Sequence, residues 1–170
     1  MLTQSVNQRL NDQINIELYS AYIYLGMSTY ASSVSLNGCA KWLYLQAQEE
    51  VGHAMKIYNY VISREGHVEL KDVKGPNQTF QSIQQVFQKA YDHERYVTSC
   101  INEISGAAMK ESDFTTTTFL QWFLNEQIEE EANVKAIVDN IKLAEGGQGL
   151  FMIDRELGSR EQETEKKEPA

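Results

Sequence analysis

The sequence predicts an all-α fold: an antiparallel four-helix bundle with one long crossover between helices two and three and a short fifth helix near the C-terminus. Three observations predict it. Apolar residues recur in alternating steps of three and four through four long segments, the spacing of a helical seam. Only Pro76 and Pro169 are proline in 170 residues, so long uninterrupted helices are permitted. The breaks are uneven, two of a few residues and one too long for a helix hairpin, which is the connectivity of a bundle with a single crossover. A chain of this length with 42% hydrophobic and 23% charged residues suits one domain with a real core.

The first helix is expected from about Ser5 to Ser33, with a break at "SLNG", Ser35 to Gly38. The second runs from about Cys39 to Glu65 and stops at Gly66. The loop "HVELKDVKGPNQT", which holds Gly75-Pro76, is the crossover. The third helix covers about Phe80 to Lys110, and "ESD", Glu111 to Asp113, offers caps for the fourth, about Phe114 to Ala144. Gly146, Gly147 and Gly149 end that helix, and "LFMIDREL", Leu150 to Leu157, forms the fifth. One domain over 1–157 is therefore expected, followed by a charged tail over 158–170, "GSREQETEKKEPA", expected to be disordered.

Composition narrows the function. A formal net charge of −9 argues against nucleic acid or an anionic membrane as partner, because both select clustered Lys and Arg. The N-terminal segment lacks the apolar stretch of a signal peptide, and no run approaches the ~20 apolar residues of a membrane span. Cys39 and Cys100 are isolated, so free thiols in a reducing cytoplasm are expected.

The seams carry the chemistry. They read Leu10, Ile14, Glu17, Ala21, Tyr24, Ser28, Ala31 in the first helix and Cys39, Leu43, Gln46, Glu50, His53, Ile57, Tyr60 in the second. In the third the seam is Phe80, Ile83, Phe87, Ala90, Glu94, Val97, Ile101, Ile104, Ala108, and in the fourth Leu120, Phe123, Gln127, Glu130, Val134, Ile137, Ile141. Each ligand-type residue, Glu or His or Gln127, lies roughly 14 to 19 residues from its own short turn, or about 21–28 Å along the helix. Docking the two hairpins therefore brings Glu17, Glu50, His53, Glu94, Gln127 and Glu130 to one level. Four ionised carboxylates buried together are very unfavourable without compensation. A buried salt-bridge network would need Lys or Arg, and none of the four seams contains one. Two divalent cations would neutralise the charge and leave His53 and Gln127 as neutral partners. Glu50 and His53 stand at i and i+3, the Glu-x-x-His arrangement of carboxylate-bridged di-iron bundles. Many oxygens and one imidazole suit iron or manganese better than structural zinc or calcium.

With these residues in view, the chain resembles the bacterial non-haem ferritins from Met1 to about Leu157, and the bundle is ferritin-like. Glu17, "EEVGH" at Glu49 to His53, "YDHE" at Tyr91 to Glu94 and "LNEQIEEE" at Leu124 to Glu131 carry the resemblance. It implies a ferroxidase centre in which Glu17, Glu50 and His53 hold one iron and Glu50, Glu94 and Glu130 the other, with Glu50 bridging. Gln127 would hydrogen-bond the oxygen-derived ligand, and Glu49, Glu126, Glu129 and Glu130 would hold a third iron. The implied activity is oxidation of Fe(II) by O2 or peroxide, with ferric oxyhydroxide deposited inside a closed homo-oligomeric shell of about 24 subunits. Haem-binding bacterioferritins carry Met after the bridging Glu; here that residue is Val51, so no haem is expected. Animal ferritins place acidic residues at a pore near the start of the fourth helix, whereas "FTTTTFLQ", Phe114 to Gln121, has none, which leaves the iron access route open.

Several readings stay double. Tyr24 is either a core tyrosine with a satisfied hydroxyl or a hydrogen-bond partner and electron donor beside the site. Glu49, Glu126 and Glu129 either flank a third iron site or are surface charges. His93, adjacent to Glu94, is expected on the surface or at an interface, His67 in an exposed loop, and Trp122 in packing. One functional alternative is a non-storage di-iron oxidase or peroxidase acting on a small substrate; another is a metal-free structural bundle whose core carboxyls are protonated.

Overall fold

A computed structural model of the chain describes residues 1–76, 79–144 and 146–161. It contains α1 (Gln4–Ser33), α2 (Asn37–Ser63), α3 (Ile83–Lys110), α4 (Phe114–Leu143) and α5 (Gly146–Leu157), and no strand among the described residues. Polar side chains fix where three helices begin. Thr3 accepts from the Val6 amide at 3.3 Å, Ser82 from the Gln85 amide at 3.2 Å, and Asp113 from the Thr116 amide at 3.0 Å. The third helix thus starts at Ile83, three residues later than the apolar pattern suggests, because Ser82 caps it.

Three helix ends share one device. Ser35, Glu65 and Ser112 adopt positive φ of 63°, 56° and 58°. The next residue's amide then reaches back five residues: Leu36 to Ala31 (3.0 Å), Gly66 to Val61 (2.9 Å) and Asp113 to Ala108 (2.9 Å). This is the Schellman arrangement, built here on non-glycine residues. Gly66 was expected to stop α2, but Glu65 makes the left-handed turn and regular helix ends at Ser63.

The glycines before α5 also differ from expectation. Gly146, Gly147 and Gly149 form the first turn of α5 rather than closing α4, which ends at Leu143. Gly146 has φ +75°, so the chain turns into α5 through a conformation that costs other residues more.

The crossover is tied along α1. Asn11 donates to the His67 carbonyl at 2.8 Å and accepts from the Glu69 amide at 2.7 Å, while Asn15 accepts from the Lys71 amide at 2.9 Å. Farther along, Phe80 meets Tyr30 with ring centroids 5.3 Å apart. The loop therefore climbs α1 from its start to its end, and α3 sets off antiparallel to α1 from the end where α2 begins.

The core is in two parts. One apolar cluster gathers residues such as Ile23, Met27, Leu43, Phe87, Val134 and Ile141; the other gathers Leu10, Ile14, Ile57, Ile101, Leu120 and Phe123. Between them lies a polar layer at mid-bundle. No helix among the described residues is long and apolar enough to cross a membrane.

Candidate metal centre

Six polar residues of the seams, together with Tyr24, fill the layer between the two apolar clusters. Glu17, Tyr24, Glu50, Glu94, Gln127 and Glu130 are all buried, and so is His53. Helical spacing puts them there: each follows its apolar seam neighbours at three or four residues, so packing that buries the seam buries them too. No Lys or Arg is among the buried side chains of the described residues.

Ligand-type atoms converge in two groups. One oxygen each from Glu17 and Glu50 and a ring nitrogen of His53 lie within 4.8 Å of one another, as do oxygens of Glu50, Glu94 and Glu130. Glu50 belongs to both. Neutral donors hold the outer faces of these carboxylates. Gln13 donates to Glu17 at 2.8 Å, and the Gln46 amide donates to both Glu50 (3.2 Å) and Glu130 (2.5 Å). Gln127 donates to Glu94 at 3.2 Å, and the Tyr24 hydroxyl donates to the other Glu94 oxygen. His53 Nδ1 stands 3.5 Å from Glu50 Oε2. Glu17 Oε2 is buried with no hydrogen-bond partner, an acceptor pointed at nothing the protein supplies. An oxygen-rich donor set with one imidazole and an orphaned buried oxygen fits a hard divalent cation such as iron.

The electrostatics show how much negative charge a bound cation would offset. Burial, followed by repulsion from Glu50, raises the carboxyls of Glu17 and Glu94 to about 8. Burial and the charges of Glu50 and Glu94 push Glu130 well above the carboxylate range. Burial also opposes charge on Glu50, but hydrogen bonding and attraction from His53 win and hold Glu50 below its ordinary value. For His53, burial disfavours protonation, yet the bond and charge of Glu50 carry it up to about 10. Without a bound cation, these shifts favour a Glu50–His53 ion pair among protonated neighbouring carboxyls.

A second cluster opens off the first. Glu49, Glu126, Glu129 and Glu130 line one small cavity with Gln46, Asn133 and Arg160. At its edge, ligand-type atoms of Glu126, Glu130 and His53 lie within 4.8 Å of one another. Glu129 is exposed, while Glu49 and Glu126 are half-buried.

Other expectations fare unevenly. His93, expected on the surface or at an interface, is half-buried, with Nε2 2.7 Å from the Ser20 hydroxyl, because Ser20 faces α3 on a side of α1 that the chosen seam omits. Trp122 packs edge-on against the His53 ring at 5.5 Å, and His67 is exposed. Cys39 is buried and Cys100 half-buried, both free. Gln13 and Gln46, only the second of which falls on a chosen seam, each lie four residues before a site carboxylate, the one sequence signal of their role. Arg160 was assigned to the loose tail; it instead lies on α2, donating to Gln46 at 3.0 Å and Glu49 at 2.6 Å. Residues 162–170 of that tail lie outside the described residues.

The ferritin-like domain profile matches residues 7–144. The bacterial non-heme ferritin of Campylobacter jejuni is 44% identical over 156 residues, covering 91% of this chain and 93% of that protein. That of Escherichia coli O157:H7 is 38% identical over 160 residues, covering 94% and 97%. Among solved structures, an open pore ferritin from the hyperthermophilic archaeon Archaeoglobus fulgidus superposes with a TM-score of 0.93 at 41% identity, covering 95% of this chain and all of that one.

Proposed function

The chain belongs to the ferritin family, and on that premise we propose that it is an iron-storage ferritin with ferroxidase activity. Fe(II) is its substrate. One Fe(II) is held by Glu17, Glu50 and His53, and a second by Glu50, Glu94 and Glu130, with Glu50 shared. Each Fe(II) gives one electron to a common O2 or peroxide, and the ferric product is deposited as oxyhydroxide inside a hollow shell.

The observation that carries this reading is the pair of ligand groups sharing Glu50 in a layer without a buried Lys or Arg among the described residues. Every other role is carried by a neighbour. Gln13 and Gln46 orient Glu17, Glu50 and Glu130 through hydrogen bonds that need no charge. Gln127 and Tyr24 hold Glu94, and Tyr24 stands close enough to the centre to donate an electron. Protons carried by Glu17, Glu94, Glu130 and His53 leave as the ions bind. The apolar clusters above and below exclude water. Glu49, Glu126, Glu129 and Glu130 form a third iron site beside the centre, a way station for product. Val51 after the bridging Glu supports a centre without haem.

Assembly into a closed shell of about 24 copies follows the family's cage-forming habit. Leu143, Phe151 and Met152 are exposed at the α4–α5 end, an apolar surface that a neighbouring copy would cover. Residues 1–157 act as the ferritin domain, and free thiols suit a cytoplasmic setting.

Fe(II) oxidation in air tests the reading. The wild-type chain oxidises Fe(II) well above a protein-free control, and Glu50→Ala reduces this to the control. Equal rates in the two would overturn it. Size-exclusion chromatography separates storage from a soluble oxidase, since a stable monomer or dimer would sink the shell.

A further inference from the structure

The cluster of Glu49, Glu126, Glu129 and Glu130 already faces a cation, and that cation is part of the chain. Arg160 follows α5, whose docking on α2 is close. A Cβ on Gly38 would come within 1.6 Å of the Asp154 carbonyl oxygen, the Cys39 amide donates to the Asp154 carboxylate at 2.8 Å, and Lys41 donates to the Gly158 carbonyl at 2.9 Å. These contacts set the chain after α5 against the outer turns of α2. From there the Arg160 guanidinium lies over the Trp42 ring, 4.6 Å from its centre, and donates to Glu49 at 2.6 Å. Both side chains of that ion pair are about four-fifths shielded, with relative exposures of 21% each.

The same guanidinium reaches inward. It donates at 3.0 Å to the carbonyl oxygen of Gln46, whose amide nitrogen in turn donates to Glu50 and Glu130. With its oxygen so held, Gln46 has its nitrogen aimed at the two carboxylates, which fixes the amide's orientation. One side chain thus neutralises an acid of that cluster and braces the amide that orients two carboxylates of the dinuclear centre.

We propose that Arg160 is a built-in counter-cation for the cluster of Glu49, Glu126, Glu129 and Glu130, so that a divalent metal binds there only by displacing it. This rests on the third site of the proposed function and adds to it a residue that sets its affinity. Arg160 is a positioning residue: it touches neither the two central ions nor oxygen. Its displacement releases Glu49 as a ligand and at the same time frees the Gln46 carbonyl, which couples filling of the third site to the carboxylates of the centre.

Anaerobic calorimetric titration of the full-length assembled protein with Co(II), a redox-stable stand-in for Fe(II), tests this. Wild type, Arg160→Gln, Arg160→Lys and the double variant Glu126→Gln/Glu129→Gln are compared. Two tighter ions per subunit and one weaker ion are expected in wild type. Arg160→Gln should tighten the weaker ion about three- to tenfold, the scale of a partly shielded ion pair removed from competition, and should also shift the tighter two, by less, through the released Gln46 amide. Arg160→Lys, which keeps the charge, should stay closer to wild type. The double variant should lose only the weaker ion. A weaker ion of equal or lower affinity in Arg160→Gln would overturn the counter-cation while leaving the third site standing. Two ions per subunit in both wild type and Arg160→Gln would overturn the third site itself, and the proposal with it.

Discussion

Glu17 and Glu94, both raised to about 8, are largely protonated at pH 7, whereas His53, raised to about 10, carries a proton beside ionised Glu50. Bound divalent ions need the opposite forms, so anaerobic metal binding at pH 7 should release protons, up to about four per pair of ions. The apparent affinity should then climb as pH rises toward 8 and above; pH-independent binding with no proton release, read in weakly buffered titrations, would refute this. Stability follows from the same shifts. A carboxyl raised from 4.5 to about 8 contributes stability that is complete below 4.5 and lost as pH rises through 8, and His53 adds a loss between 6.5 and about 10. Glu50 has the opposite sign, its contribution vanishing only as pH falls through its lowered value. The metal-free melting temperature should therefore fall from pH 5 to pH 9, and metal should reverse the fall. Glu17→Gln, which removes one of these carboxyls while keeping an acceptor for Gln13, should stabilise the metal-free protein by about 1 kcal/mol at pH 8 and weaken metal binding at least about tenfold. These residues were legible because four carboxylates on buried seams, with no Lys or Arg beside them, call for compensation that a metal supplies more readily than protons alone. Their hydrogen-bond supports, Gln13 and Gln46, were less legible, because a buried glutamine is not anomalous by its charge.

Helix ends were harder to read than helix faces. Periodicity places the seams, but boundaries depend on which residue adopts a left-handed conformation or caps an amide. Here Ser35, Glu65 and Ser112 take that conformation where glycine is the usual choice. Glu65→Gly should relieve the strain and raise stability by about 0.5–1 kcal/mol, the steric cost less the added freedom of the unfolded chain. A lower denaturation midpoint in that variant would show that the Glu65 side chain does something its backbone does not reveal. Gly38 is the converse case. It looks like a break residue in sequence, yet it lies inside α2 because α5 needs the space. Gly38→Ala should cost about 1–3 kcal/mol through overpacking and should speed hydrogen exchange in α5 more than elsewhere. Uniform protection of α5 in the variant would argue against close docking there.

Across the whole molecule, the polar layer divides the core and the long crossover makes that division useful. By returning the chain along α1, the crossover lets the hairpins α1–α2 and α3–α4 meet with their polar levels aligned. That alignment could be counted from the two short turns in sequence, since each ligand sits at a similar rise from its own turn. Arg160 could not be read in this way. Its place depends on where α5 docks, a long-range packing outcome, and its local context of Gly, Ser, Glu and Gln reads as solvated tail. The central claim concerns the layer itself: four helices bring carboxylates together to hold two ions at once. Anaerobic Fe(II) soaking of crystals, followed by anomalous diffraction at the iron edge, measures this most directly. The prediction is two peaks within the layer of each subunit, about 3.5–4 Å apart, one near Glu17 and His53 and one near Glu94 and Glu130, with Glu50 touching both. A single peak in the layer, or iron confined to surface carboxylates while the layer stays empty, would contradict it.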